Sequence, residues 1–232
     1  TGVLSTQNVA IGNSTMTGAM NAANGNTCVG YEAGKAITLG DYNTLLGSAC
    51  GDEITEASNC VAVGAGALAV VATETGTVAI GRSALGALTS GSANLAVGYQ
   101  ALSGLTDGAD NVMIGFQAGA SADNAGFADN IGIGNYVFDG VGDYTVAQNI
   151  AIGSYALSGA LVDAADNNIA IGHHALLALT QGTQNIAIGK GAMAEHNAGN
   201  GNTAVGYAVM DETGGHAGNY NTAFGAYALG GN

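Results

Sequence analysis

The chain carries 40 Gly among 232 residues, no Pro and no Trp, and 17 acidic against 3 basic side chains leave a formal net charge of −14. Abundant Gly without Pro or every-third spacing excludes collagen, and the acidic balance argues against nucleic acid or an anionic membrane surface as partner. The longest apolar run, around Ala65 to Ala72, is broken at Gly66 and falls short of the ~18 residues of a membrane span.

Taken in chain order, the elements repeat. The unit is Asn-x-Ala-Ile-Gly followed by Ala-Leu, as in Asn168-Ile169-Ala170-Ile171-Gly172-His173-His174-Ala175-Leu176. Aligned on its Gly it occurs thirteen times, at Gly12, Gly30, Gly47, Gly64, Gly81, Gly98, Gly115, Gly134, Gly153, Gly172, Gly189, Gly206 and Gly225, at spacings of 17 to 19 residues. Length varies only between the Leu and the next Asn, so each repeat predicts one coil with an adjustable loop. The fold class expected is all-β, a parallel β-solenoid or β-roll. A single uncapped domain is expected to fill residues 1–232, with repeats anchored from Asn8 to Leu229.

Each copy predicts a short strand before its Gly. The residue three before the Gly is β-branched in every copy except at Leu95, and the residue one before is always Ile, Val, Leu or Phe. These two share one face of a strand, and the residue between them points the other way. That middle residue is Ala except at Cys28, Leu45, Met113 and Gly132, so both faces are apolar and both are expected to be buried. One coil has one interior, so lateral association of chains is expected, a homotrimer first, with the small-residue face suited to close approach between coils or chains. Thirteen coils at a strand spacing of ~4.8 Å make a rod about 60 Å long.

Four residues before the Gly stands Asn8, Asn26, Asn43, Asn94, Asn111, Asn130, Asn149, Asn168, Asn185, Asn202 or Asn221, with Cys60 and Thr77 the two exceptions. A side-chain amide both donates and accepts, so a column of Asn is expected to form a ladder along the stack, which repelling carboxylates could not do. The corner Gly is expected to adopt positive φ and to leave room for the neighbouring coil.

Strings such as Asn94-Leu95-Ala96-Val97-Gly98-Tyr99-Gln100-Ala101-Leu102 and Asn202-Thr203-Ala204-Val205-Gly206-Tyr207 resemble bacteriophage tail-fibre repeats, and the shorter core is similar to the head repeats of trimeric autotransporter adhesins. The resemblance implies an extracellular homotrimeric fibre on a virion or cell surface. These repeats are longer than those of autotransporter heads, and no catalytic residues carry over. Joining the end of one chain to the start of another completes a 19-residue repeat in register, so the chain is expected to be either part of a longer fibre or a head-to-tail filament protomer. No stretch reads as a signal peptide and there is no initiator Met, which makes a mature form or a fragment the expectation.

Candidate sites lie at the corners and in the loops. Aromatic residues follow several corner Gly, and Tyr99 and Phe116 are the candidate glycan contacts, against the alternative that they cover the turn or pack between chains. His173 and His174 are expected to be an exposed pair pointing to opposite sides, with no further ligand to complete a metal site. Three acidic loops, Asp107 to Asn111, Asp123 to Asn130 and Asp139 to Asp143, carry Ca²⁺-type oxygens but match no calcium motif, so solvation is expected and no cofactor is assigned. Cys28, Cys50 and Cys60 are expected to be small buried fillers, which leaves their redox state open. No nucleophile–base pair or fixed carboxylate pair is found. Thr recurs on the strand only at Thr27, Thr44, Thr203 and Thr222, too few for a continuous ice-binding ladder. The expected function is therefore a non-enzymatic structural fibre, with glycan recognition as the first alternative and a polysaccharide-degrading fibre enzyme as the second.

Overall fold

The computed structural model describes residues 4–70, 75–123, 126–162, 165–211 and 218–230. Seven strands come first: β1 (Val9–Ile11), β2 (Thr27–Val29), β3 (Thr44–Leu46), β4 (Val61–Val63), β5 (Val78–Ile80), β6 (Leu95–Val97) and β7 (Val112–Ile114). Eight follow: β8 (Phe127–Ala128), β9 (Ile131–Ile133), β10 (Val146–Ala147), β11 (Ile150–Ile152), β12 (Ile169–Ile171), β13 (Ile186–Ile188), β14 (Thr203–Val205) and β15 (Thr222–Phe224).

All but β8 and β10 form one 13-stranded sheet in sequence order. Every pairing is parallel and keeps the repeat in register, as where Ala151 lies beside Ala170 and Ala170 beside Ala187. The chain is thus an all-β parallel β-solenoid of about 12 turns. β8 and β10 pair with each other as a second, two-stranded parallel sheet. It arises where the corner Gly residues are 19 apart, so the longer loop is used as extra strand.

Three-residue strands set the architecture. The middle residue of each points inward, and Ala62, Ala79, Ala96, Ala151, Ala170 and Ala187 are all fully buried. Opposite them sit the long side chains of the turn, among them Leu68, Leu85, Leu102, Leu157 and Leu176, also fully buried. In those coils the interior is one Ala and one Leu deep, whereas the larger Cys28, Leu45 and Met113 stand on the strand where the facing turn position is Gly34, Gly51 or Gly119, so the core is thin and space is short. This corrects the expected face assignment: the small-residue column is the interior, not a surface for approach between chains. The β-branched face is the outer one, with Ile11 59%, Ile80 38%, Ile133 39% and Phe224 67% exposed. Within one chain only one strand face is buried.

The core departs from this plan at Met113 and Gly132, adjacent on β7 and β9. A Cβ on Gly132 would stand 2.3 Å from Met113 Sδ, so the missing side chain on one rung makes room for the large one on the next. In the same wide coils Phe127 and Phe138 fill the added interior edge to face, with ring centroids 5.6 Å apart.

The backbone between strands repeats as closely as the strands do. In each of the thirteen coils the residue before the Asn column, and the second and fourth residues after the corner Gly, have positive φ. Around Gly98 these are Ala93 at 58°, Gln100 at 54° and Leu102 at 50°. A non-Gly residue in this region costs on the order of 1 kcal/mol, and burying a Leu returns about 1.5–3 kcal/mol, so packing wins at the fourth position. Corner Gly φ values lie between 109° and 149°. A Cβ on Gly98 would meet the Gly115 carbonyl oxygen at 2.1 Å, so these corners stack too closely for any other residue.

Candidate functional site: the Asn ladder, the outer face and the aromatic corner

The Asn column lies under the start of each strand, where every rung must satisfy polar backbone in a dry place. Asn149 shows the arrangement. Its backbone N–H donates to Asn130 Oδ1 at 3.0 Å, and its Nδ2 donates to Asn130 Oδ1 at 3.2 Å and to the Ala165 carbonyl at 2.8 Å. Its own Oδ1 accepts from Asn168 N at 2.8 Å and Asn168 Nδ2 at 3.1 Å. Each amide therefore joins two neighbouring coils and holds the next coil's turn. The side-chain contacts run from Asn8 through Asn26 to Asn43, and again from Asn94 to Asn221. Between the two runs Cys60 N still donates to Asn43 Oδ1 at 3.0 Å, whereas Thr77 Oγ1 is buried without a hydrogen-bond partner.

The outer sheet face is continuous from β1 to β15. Two side chains per strand point outward, all apolar except Thr27, Thr44, Thr203 and Thr222. It is an uncharged ribbon on a strongly acidic chain.

Along the edge that follows the strands runs a row of rings. Tyr99 and Phe116 stack with centroids 5.1 Å apart at 11°, and Tyr136 and Tyr155 with centroids 5.0 Å apart at 13°. Phe116 and Tyr136 join the two pairs edge to face at 5.3 Å. Column alignment hides this continuity, because Phe116 follows its Gly directly and Tyr136 comes one residue later. Tyr99 and Phe116 are 38% and 40% exposed, yet their faces are turned to each other along the rod.

The row ends at His173 and His174, whose rings lie 3.7 Å apart, Tyr155 meeting His174 edge-on at 5.5 Å. This corrects the expected opposed pair: the residues sit in the corner, where positive φ at His174 rotates its side chain beside its neighbour's. Desolvation, with His173 and Lys190 nearby, lowers the His174 pKa from its ordinary value. Beyond it, Lys190 Nζ lies 5.9 Å from the Tyr207 ring centroid, a cation–π geometry.

Among the described residues no three His, Cys, Asp or Glu side chains gather to hold a metal ion. Of the acidic loops, Asp107 Oδ1 accepts from Thr106 Oγ1 at 3.1 Å, the Asp139 carbonyl accepts from Ser121 Oγ, and the loop from Asp123 to Asn130 includes 124–125, outside the described residues. Burial raises the Asp139 and Asp52 pKa values. Cys28 and Cys50 are buried free thiols pushed up to about 12, chiefly by desolvation, and burial also raises Cys60. The one ion pair among the described residues joins Lys35 Nζ to Glu32 Oε1 at 3.0 Å. No described helix is long and apolar enough to cross a membrane.

Comparison of the chain with protein-family models, curated proteins and solved structures gives no match. What the fold defines is the class, a β-solenoid repeat protein.

Proposed function

We propose that the chain is a non-enzymatic structural fibre protein of an extracellular, virion or cell surface, serving as the shaft of a tail-fibre-like adhesin or as an extracellular filament. The observation that carries this is the use of the repeating residues. The Asn ladder, the corner Gly stack and the inner Ala column all act between coils, so the recurrent chemistry of the sequence goes into building a rod. The outer ribbon gives such rods an apolar face through which copies associate laterally. Electron microscopy of the purified chain tests this: rods about 60 Å long, or filaments built from them, are expected. Compact particles, or turnover of a surface polysaccharide, would overturn it.

A second reading has its own observation, the exposed aromatic corner from Tyr99 to Tyr155. As a glycan-recognition module the rod would bind sugars saturably, and Tyr99→Ala or Phe116→Ala would abolish binding with the rod intact. Undiminished binding by both variants would remove that reading.

A further inference from the structure

We propose that the outer sheet face docks on the same face of a second copy of this chain, the two rods lying parallel about a two-fold axis along their length. The proposal rests on the structural-fibre reading and names the surface through which the fibre associates.

Four features select a second copy. The first is composition: the outward side chains of all thirteen strands of the large sheet are apolar or Thr, and none is charged, on a chain of net charge −14. On such a ribbon copies can approach without bringing carboxylates together. The second is area. A ribbon about 60 Å long and about 10 Å wide presents roughly 600 Å² per copy, so two bury about 1,200 Å², at the lower end of the usual range for a stable interface. The third is pitch. Both ribbons repeat at the coil spacing, so under the two-fold every coil of one copy meets the same coil of the other along the whole rod. An unrelated partner would need the same period.

The fourth is width, which decides between two chains and three. Two sheets pack face to face about 10 Å apart, a gap that outward Ile and Val side chains fill from both sides. Three ribbons closed around a common axis would form a triangular prism. With sides of about 10 Å, set by three-residue strands, each sheet would lie only about 3 Å from the axis, leaving no space for those side chains.

Charge at the rims then sets direction. On the rim preceding the strands, one or two residues before the Asn column, lie Asp41, Asp110, Asp129 and Asp166, with no Lys or Arg. The position directly after the corner Gly holds Arg82, His173 and Lys190, with no carboxylate. A two-fold along the rod reverses strand direction across the interface and sets the basic rim of each copy against the acidic rim of the other. Antiparallel rods would align acidic rim with acidic rim. The parallel arrangement puts Val97 opposite Leu95 of the second copy, and Lys190 within one coil of its Asp166.

Sedimentation equilibrium and native mass measurement of the full chain test the proposal. Wild type is expected at the mass of two chains. Ile114→Lys combined with Ile133→Lys, both on the outer face, is expected at the mass of one chain with the far-UV circular dichroism of the rod retained. Lys190→Glu, which also gives up the cation–π contact with Tyr207 of its own chain, is expected to weaken association about tenfold with the far-UV circular dichroism of the rod retained, because the two-fold places the rim pair twice. Asp166 Oδ1 also accepts from Ala147 N at 2.8 Å, so Asp166→Asn serves as the uncharged control, and Asp166→Lys added to Lys190→Glu is expected to restore association beyond that control. A single-chain mass for wild type at every concentration would overturn face-to-face docking. A three-chain mass would overturn the two-fold while leaving the fibre reading standing. Failure of the charge swap to restore association would overturn the parallel arrangement.

Discussion

Asn149 offers the sharpest test of the ladder, because each atom of its amide has an assigned partner. In Asn149→Ala the Asn168 N–H and the Ala165 carbonyl lose their partners in a fully buried site. Each orphaned group costs about 1–3 kcal/mol, so a loss of about 2–6 kcal/mol is expected. Asn149→Asp separates donor from acceptor. The carboxylate still accepts from Asn168 N–H, but it now faces Asn130 Oδ1 and the Ala165 carbonyl, two oxygens that had received N–H bonds. Burial and these oxygens raise its folded pKa above the unfolded value of ~3.9. The folded form then binds more protons than the unfolded chain, so stability is greatest below the unfolded pKa and falls as pH rises toward the folded one. The slope approaches ~1.4 kcal/mol per pH unit in that window. Urea unfolding followed by far-UV circular dichroism at pH 4 to 7, each variant referred to wild type at the same pH, reads this directly. Exchange of the Asn168 amide reports whether the loss is local, since a repeat rod need not unfold as one unit. A pH-independent deficit in Asn149→Asp, or wild-type stability at pH 7, would refute the reasoning.

Three other outcomes are expected. Gly132→Ala should cost about 1–3 kcal/mol by overpacking against Met113 Sδ, and Met113→Ala in the same chain should recover most of it, because the two sites share one volume. Thermal melts of the single and double variants would show additive losses if the complementarity were incidental. Cys28, Cys50 and Cys60 should be silent to a thiol reagent at pH 8 in the native rod and all three should react in urea, since burial keeps them protonated; rapid native labelling would contradict the interior placement. His196 is 3% exposed and burial lowers its pKa, so the unfolded chain binds the proton more readily. Its contribution is present above ~6.5 and lost as pH falls through the lower folded value. Protection of the Asn202 amide, referred to its intrinsic exchange rate at each pH, should therefore fall on acidification in wild type and not in His196→Gln, since Asn202 Nδ2 lies 3.4 Å from His196 Nε2. An unchanged pH response in His196→Gln would assign the effect elsewhere.

Much of the rod is legible as spacing. A Gly recurring every 17 to 19 residues, with Asn four positions before it and a β-branched or aliphatic pair between, defines strand, corner and repeat without any coordinates. This works because the neighbours that matter are copies of the same residue one coil away, so the long-range contacts are written into the local alignment. The aromatic corner is only half visible. Tyr99 and Phe116 occupy one column, but their continuation through Tyr136 and Tyr155 shifts by a position, and an alignment by column breaks where the stacked rings do not.

Repeat spacing alone sets the number and length of the coils, their parallel order and the identity of the columns. Which side of the strand is interior was decided only in three dimensions, because an alternation of apolar residues says that two faces exist and not which has room. Ala is inside because the opposing Leu already fills a narrow coil, and the larger Ile and Val are left outside. The same holds for the left-handed backbone at Leu102 and for the paired rings of His173 and His174. The closed coil imposes both: at Leu102 burial offsets the strain, and at the His corner positive φ at His174 brings the two rings together.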